Sequence, residues 1–217
     1  MKVVANLDPV VLEGELLRRI GEVKKEHGPT APVLVVVPTS RLVDHLQRRL
    51  AGKFGAVLGV EILHFRALAG NILEAAGNDL QPSSNRILTE LLRRCIGELP
   101  GGNQLKRFVD RRPGAASSLM SSIRALREAG VDPGDFRKLA RSEQDLASLY
   151  SAYSHRLGDM SERGVTDEAG FINAACRVLD TGIGLRERYN SVFLYGAYEL
   201  LGVHLNLLRK MEPVTVL

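Results

Sequence analysis

Three short stretches carry side chains that could act on or hold a ligand. After the apolar run Val33–Val37 the chain reads Pro38-Thr39-Ser40-Arg41. After Val60–Leu63 it reads His64-Phe65-Arg66, and after Lys2–Asn6 it reads Leu7-Asp8-Pro9. Hydroxyls and backbone amides at a strand-to-helix turn bind phosphate oxygens, and an arginine beside them adds charge. An aromatic ring at such a turn can stack on an unpaired base. Thr39, Ser40, Arg41, His64, Phe65 and Arg66 are therefore the candidate nucleic-acid contacts. Each has a plainer competing role: a helix cap for Thr39 or Ser40, which a phosphate contact leaves intact, and core packing for Phe65.

Other chemistries are poorly served. A phosphate-binding loop needs G-x-x-x-x-G-K-[ST], because backbone amides cradle the phosphates and the lysine and hydroxyl complete the site. Leu7–Gly14 offers one glycine, no lysine and the carboxylates Asp8 and Glu13, for which capping or solvation is the expected role. Gly52-Lys53 is a decoy, since Gln47 and Phe54 stand where the first glycine and the hydroxyl belong. No acid for Mg²⁺ follows the later strand Ser191–Tyr195, where Gly196, Ala197 and Tyr198 come next. His27, His45, His64, His155 and His204 make no metal-ligand spacing with one another or with cysteine. A Ser40–His45–Asp44 triad would require one helix start to fold back on itself. Tyr195 and Tyr198 flank a glycine and suit either packing or stacking.

The elements that must position these groups read as an α/β layer interrupted by helices. Val33–Val37 is continuous and β-branched, as in a strand covered on both faces. The spacing predicts strands at Lys2–Asn6, Val60–Leu63, Ser191–Tyr195 and Val214–Leu217. It predicts helices at Val10–Glu26, after Ser40, from His64 to about Ala76, and at Leu200–Lys210. The first of these puts Val11, Leu12, Glu15, Leu16, Arg19, Ile20 and Val23 on one face. Between Pro82 and about Leu179 the pattern is helical only, with helices near 84–97, 115–129, 135–140, 143–158 and 167–179 and a loop at Leu99–Asn103. The domain reading is 1–80 with 188–217 as the α/β layer and 81–187 as an inserted helical subdomain. The chain stops in mid-strand, as the front piece of a longer polypeptide would.

Composition sets the class. The 217 residues are 45% hydrophobic and 25% charged, ordinary for a globular protein. No stretch approaches about 18 consecutive apolar residues, and the N-terminus lacks signal-peptide character, so a cytoplasmic protein without a membrane partner is expected. Cys95 and Cys176 lie among apolar helical residues and read as buried free thiols. The net charge is +4. Arg86–Arg112 carries seven basic residues against three acidic ones, an excess equal to that of the whole chain. A second cluster, Arg41, Arg48, Arg49, Lys53 and Arg66, faces only Asp44 and Glu61. Such patches neutralise phosphates or are simply solvated.

The order strand, helix, VLVVVPTSR, VEILHFRALAGNILEAAG resembles the N-terminal helicase-like region of the AddB family, the nuclease-bearing partners of AddA in the AddAB helicase–nuclease. Val33–Leu50 is similar to that family's segment of a strand ending "VP" and a helix with Arg, and His64–Gly77 to the segment in which a Thr-Phe or similar pair precedes "LA". Pro113–Leu139, beginning PGAASSLMSSIRALREAGVDPGDF, is similar to its Pro-Gly-led helix. Asp145–Asp167 is similar to its "DLAxLYxxY" helix, and Tyr189–Leu217 to the strand that carries "DGF" and the one after it. The resemblance implies a RecA-like, P-loop NTPase-like parallel sheet of superfamily 1 helicase type with an inserted all-helical subdomain. It implies a double-strand-break repair role, DNA as partner at a single strand or duplex end, and a motor subunit of AddA type. The family's nuclease, a PD-(D/E)XK domain with iron–sulfur cysteines, lies downstream of the matching region and falls outside this chain. Two departures, the missing phosphate loop at Leu7–Gly14 and Tyr195 in place of the "DGF" aspartate, argue against bound ATP and Mg²⁺. The expectation is a catalytically degenerate DNA-binding and scaffold module that contacts DNA through Thr39–Arg41 and His64–Arg66. The alternatives are a protein-interaction scaffold without DNA binding, and an ATP-binding helicase domain with a divergent loop.

Overall fold

A computed structural model describes residues 1–100, 103–112, 114–139, 143–182, 186–198 and 200–217. In chain order the elements are β1 (Lys2–Val3), α1 (Pro9–His27), β2 (Val33–Val37), α2 (Ser40–Phe54), β3 (Val60–His64), α3 (Phe65–Ala75) and β4 (Gln81–Pro82). Then come α4 (Asn85–Glu98), α5 (Gln104–Arg111), α6 (Ala115–Glu128), α7 (Pro133–Leu139), α8 (Gln144–Ser161) and β5 (Val165–Thr166). The chain finishes with α9 (Glu168–Asp180), β6 (Ser191–Leu194), α10 (Gly202–Lys210) and β7 (Val214–Val216). It divides into two compact units: Met1–Asn78 with Ile172–Leu200 and His204–Leu217, and Asp79–Phe171 with Leu201–Val203. The part of α9 from Ile172 onward thus belongs with the sheet, whereas the sequence reading assigned everything from 81 to 187 to the helical block.

The first unit is α/β around a five-stranded sheet in the order β1-β7-β6-β2-β3, with every pairing parallel. β2 lies near its middle. Val33 pairs with Val60 on one side and with Ser191 on the other, and all five β2 side chains are buried. That is why the run is continuously apolar: a strand with helices on both faces has no solvent side. Alternation sends Val33, Val35 and Val37 to one face, where they pack with Leu16, Leu17 and Ile20 of α1 and Leu46 and Leu50 of α2. Right-handed crossovers account for the placement. The steps β1→β2 and β2→β3 run one way across the sheet and put α1 and α2 on the same face. The step β6→β7 runs the other way and puts α10 on the opposite face. Gly59 opens β3 at φ +69°, and a Cβ there would lie 2.4 Å from the Thr30 carbonyl oxygen, so only glycine fits.

The strand at Lys2–Asn6 shortens to Lys2–Val3, because beyond the pairing with β7 the chain turns at Asn6, whose Oδ1 accepts from the Asp8 amide. Of the expected α1 face, Leu12, Leu16, Ile20 and Val23 pack into the core, whereas Val11 is exposed and Glu13 and Leu17 join the buried side instead. The second unit is helical. Leu88, Leu92, Cys95 and Ile96 of α4, Met120 and Ile123 of α6, and Leu149, Tyr150, Tyr153 and Leu157 of α8 form its core. It also holds the two-residue parallel pair β4–β5, which sequence patterning passed over as too short to read. Within it Arg127 donates to Asp167 from Nε at 2.9 Å and Nη2 at 3.0 Å, and Asp167 Oδ1 also accepts from the Gly170 amide at 2.7 Å, capping α9. Gly101, Gly102 and Ala140, which complete the expected loop and helix there, lie outside the described residues. Both cysteines are free and buried. No helix among the described residues is long and apolar enough to cross a membrane.

Candidate nucleic-acid interface

Because the sheet is wholly parallel, the carboxyl ends of its strands open on one edge. Ligands of open α/β sheets bind there, at the point where the strand order reverses. Here the reversal falls between β2, which leads on to β3, and β6, which leads on to β7. The residues singled out from sequence emerge beside it. Val37 pairs with His64, so Thr39–Arg41 and His64–Arg66 leave adjacent strands about 4.8 Å apart.

Their local roles follow from how the helices start. Thr39 is the N-cap of α2, its Oγ1 accepting from the Leu42 amide at 3.4 Å. Ser40 and Arg41 lie exposed in the first turn, where helix amides remain open to an anion. His64 caps α3, its Nδ1 accepting from the Ala67 amide at 3.3 Å, which leaves the ring proton on Nε2. Arg66 is exposed one step later. Phe65 is placed otherwise than a base-stacking role requires. It is 4% exposed, and its ring stacks on His204 of α10 at 4.1 Å with a 17° tilt. That ring has no face left for a base, because the apolar contact at the start of α3 has drawn it into the core.

The N-terminus of α1, where a phosphate loop would deliver its ligand, is occupied by the protein's own groups. Asp8 Oδ1 accepts from the Val10 amide at 2.8 Å, and Pro9 stands at the first helical turn without an N–H to offer. Glu13, one turn on, is buried. Its Oε2 lies 2.5 Å from His45 Nε2, and its Oε1 accepts from Arg49 Nε. Burial alone would push this carboxyl up; the hydrogen bonds and charges of His45 and Arg49 outweigh it and hold it below the usual range. The site is thus an internal ion-pair cluster with its anion already built in. His45 serves Glu13, not Ser40.

Around this cluster lies a hollow of about 350 Å³ lined by Pro9, Val10, Glu13, Leu42, His45, Tyr195, Gly196 and Tyr198. The two tyrosines part company. Tyr195 is buried, its hydroxyl 3.5 Å from the Pro9 carbonyl oxygen, and burial raises its pKa. Tyr198 is 82% exposed on the lip. Gly196 turns the chain between them at φ +70°, and a Cβ would come within 3.1 Å of Leu42 Cδ1.

Sequence reasoning missed the Glu13–His45–Arg49 cluster. The signal was present as an acid at the head of the inward stripe Glu13, Leu16, Leu17, Ile20. His45 and Arg49 lie one helical turn apart on α2, on a face that only the tertiary structure turns toward α1. Among the described residues, no three His, Cys, Asp or Glu side chains converge as a metal site would require. No family model matches the chain, and no match is found among the curated proteins.

Proposed function

We propose that this chain is a helicase-like module of RecA-like, superfamily 1 type that binds DNA without hydrolysing ATP and acts as a scaffold in a double-strand-break repair helicase–nuclease. Catalysis then resides in a downstream nuclease and a motor subunit of AddA type. The observation that carries the reading is the contrast along one sheet edge. Thr39, Ser40, Arg41 and Arg66 stand exposed at adjacent strand ends. The neighbouring helix start, α1, is closed by Asp8 and by the ion-paired Glu13. A carboxylate there repels nucleotide phosphate, while hydroxyls and guanidinium groups on the other loops suit a nucleic-acid backbone.

The test is fluorescence anisotropy of a labelled single-stranded oligonucleotide at low and moderate salt, with and without ATP and Mg²⁺. Binding should weaken steeply with salt as phosphate contacts release counterions, and should ignore ATP. Arg41→Ala with Arg66→Ala should lower affinity. An ATP-dependent change would revive the divergent-loop alternative. A second reading, docking to a protein without DNA, is favoured by the exposed apolar side chains Val3, Leu7, Val10 and Val11 near the sheet's β1 edge. It predicts no oligonucleotide binding even at low salt.

A further inference from the structure

The longest excess of positive charge in the chain, Arg86–Arg112, belongs to the helical unit, which holds none of the DNA contacts assigned above. α5 is eight residues long, QLKRFVDR, with Arg112 immediately after it. Its inward side, Leu105 and Val109, packs against the core of α4, α6 and α8. At 100° per residue, Arg107 lies directly opposite that side, with Arg111 and Gln104 next to it and Phe108 on the flank nearer Leu105. Phe108 is 40% exposed, a large ring left in water, and the Arg112 guanidinium sits over it at 5.0 Å from the centroid. Gln104, Arg107, Phe108, Arg111 and Arg112, with the edge of Leu105, line a hollow of about 530 Å³.

The face is held in place. Asn103 Oδ1 accepts from the Leu105 and Lys106 amides, and Asp145 Oδ2 accepts from the Gln104 amide at 2.8 Å. Lys106 reaches back to the carbonyl oxygens of Gly97 and Leu99, at 2.6 and 3.3 Å, fastening α5 to the end of α4. The one carboxylate on the helix, Asp110, is exposed between Lys106 and Arg107 and does not line the hollow. The Arg112 guanidinium thus covers a half-exposed ring on a fixed helix, and Arg107 and Arg111 line the same hollow. A solvated basic surface has no need of the ring; a stacking platform between phosphate contacts does.

We propose that the solvent face of α5 is a second contact for single-stranded nucleic acid, with Arg107 and Arg111 on phosphates and an unpaired base stacked on Phe108 against Arg112. It rests on the reading that the chain binds DNA. A single strand is the fitting ligand because a paired base offers its face to its neighbours and not to a side chain.

The probes are a fluorescein-labelled oligothymidylate and a duplex of the same length, titrated against the whole chain. Arg107→Gln with Arg111→Gln should flatten the slope of log affinity against log salt by about 1.4, at about 0.7 per lost phosphate contact on a single strand. Phe108→Ala should weaken oligothymidylate binding roughly 5- to 150-fold with the slope unchanged and duplex binding scarcely altered, and Phe108→Tyr should restore it. All three positions face solvent, so the fold is retained, which far-ultraviolet circular dichroism checks. If these variants bind like wild type while Arg41→Ala with Arg66→Ala does not, the α5 contact is wrong and the DNA-binding reading stands. If wild type binds neither probe, both fall. If a polyglutamate competes as well as the oligonucleotide and Phe108→Ala changes nothing, the face serves an acidic polypeptide and the proposal is overturned.

Discussion

Replacing Phe65 separates a core residue from a DNA contact, because the two roles predict opposite patterns. The ring is buried against His204 at 4.1 Å, nearly parallel to it. Truncation to alanine opens a cavity at the start of α3 and should cost about 3–5 kcal/mol, the usual range for a buried phenylalanine. Loss of the ring pair contributes about 0.5–1.5 kcal/mol of that. Leucine keeps most of the apolar volume and should cost roughly 1–2 kcal/mol. A pH signature goes with it. Burial lowers the His204 pKa below its ordinary 6.5. The unfolded chain then takes up the proton first, so the sheet unit should be most stable above about pH 6.5 and weaken as pH falls through the window beneath it. Phe65→Ala admits water to the imidazole, moves its pKa back toward 6.5 and flattens that dependence. Urea unfolding at neutral and mildly acidic pH, with nuclear magnetic resonance titration of the His204 ring, reads both effects. Phe65→Leu should bind oligonucleotide as wild type does. The reasoning fails if Phe65→Ala unfolds at the wild-type urea concentration, or if folded Phe65→Leu loses tenfold or more in affinity, which is about 1.4 kcal/mol.

Two further outcomes follow from buried groups. Asp167→Ala strips Arg127, which is mostly buried, of both hydrogen bonds and removes the cap of α9, and should destabilise the helical unit by about 3–5 kcal/mol in urea unfolding. Arg127→Met with Asp167→Leu should regain most of the loss, since no charge is then left unpaired. Burial pushes the Cys176 thiol up to about 11 and raises that of Cys95 as well, so both should resist a thiol reagent near pH 8 until urea unfolds the chain. Rapid labelling of either in the native protein would contradict the packing.

The fold was legible wherever one signal dominated. Val33–Val37 read as a covered strand because five apolar residues in a row leave no solvent face, and all five are buried. The helices of the insertion showed in the spacing of Leu88, Leu92 and Cys95, and of Tyr150, Tyr153 and Leu157. α5 escaped notice. It is short, five of its eight residues are polar or charged, and its two inward residues make no sustained period. The candidate site divides the same way. Thr39 and His64 were recognisable as residues at strand-to-helix turns, and both cap helices. Phe65 looks the same in sequence whether its ring turns out to a base or in to His204, since that partner lies 139 positions along the chain.

By itself the sequence determined what local chemistry dictates: alternation of apolar runs into strands and helices, the absence of a phosphate cradle at Leu7–Gly14, and two clusters of positive charge. The tertiary structure alone decided which of those groups meet. It set β2 beside β6 and β3, so that distant turns open on one edge. It brought His45 and Arg49 onto Glu13, turning an acid expected at the surface into a buried anion. It also left the Phe108 ring in water beneath Arg112 while it buried that of Phe65. The physical reason is range. Propensity and periodicity act within a few residues, whereas burial and ion pairing depend on groups that only chain topology brings within about 4 Å.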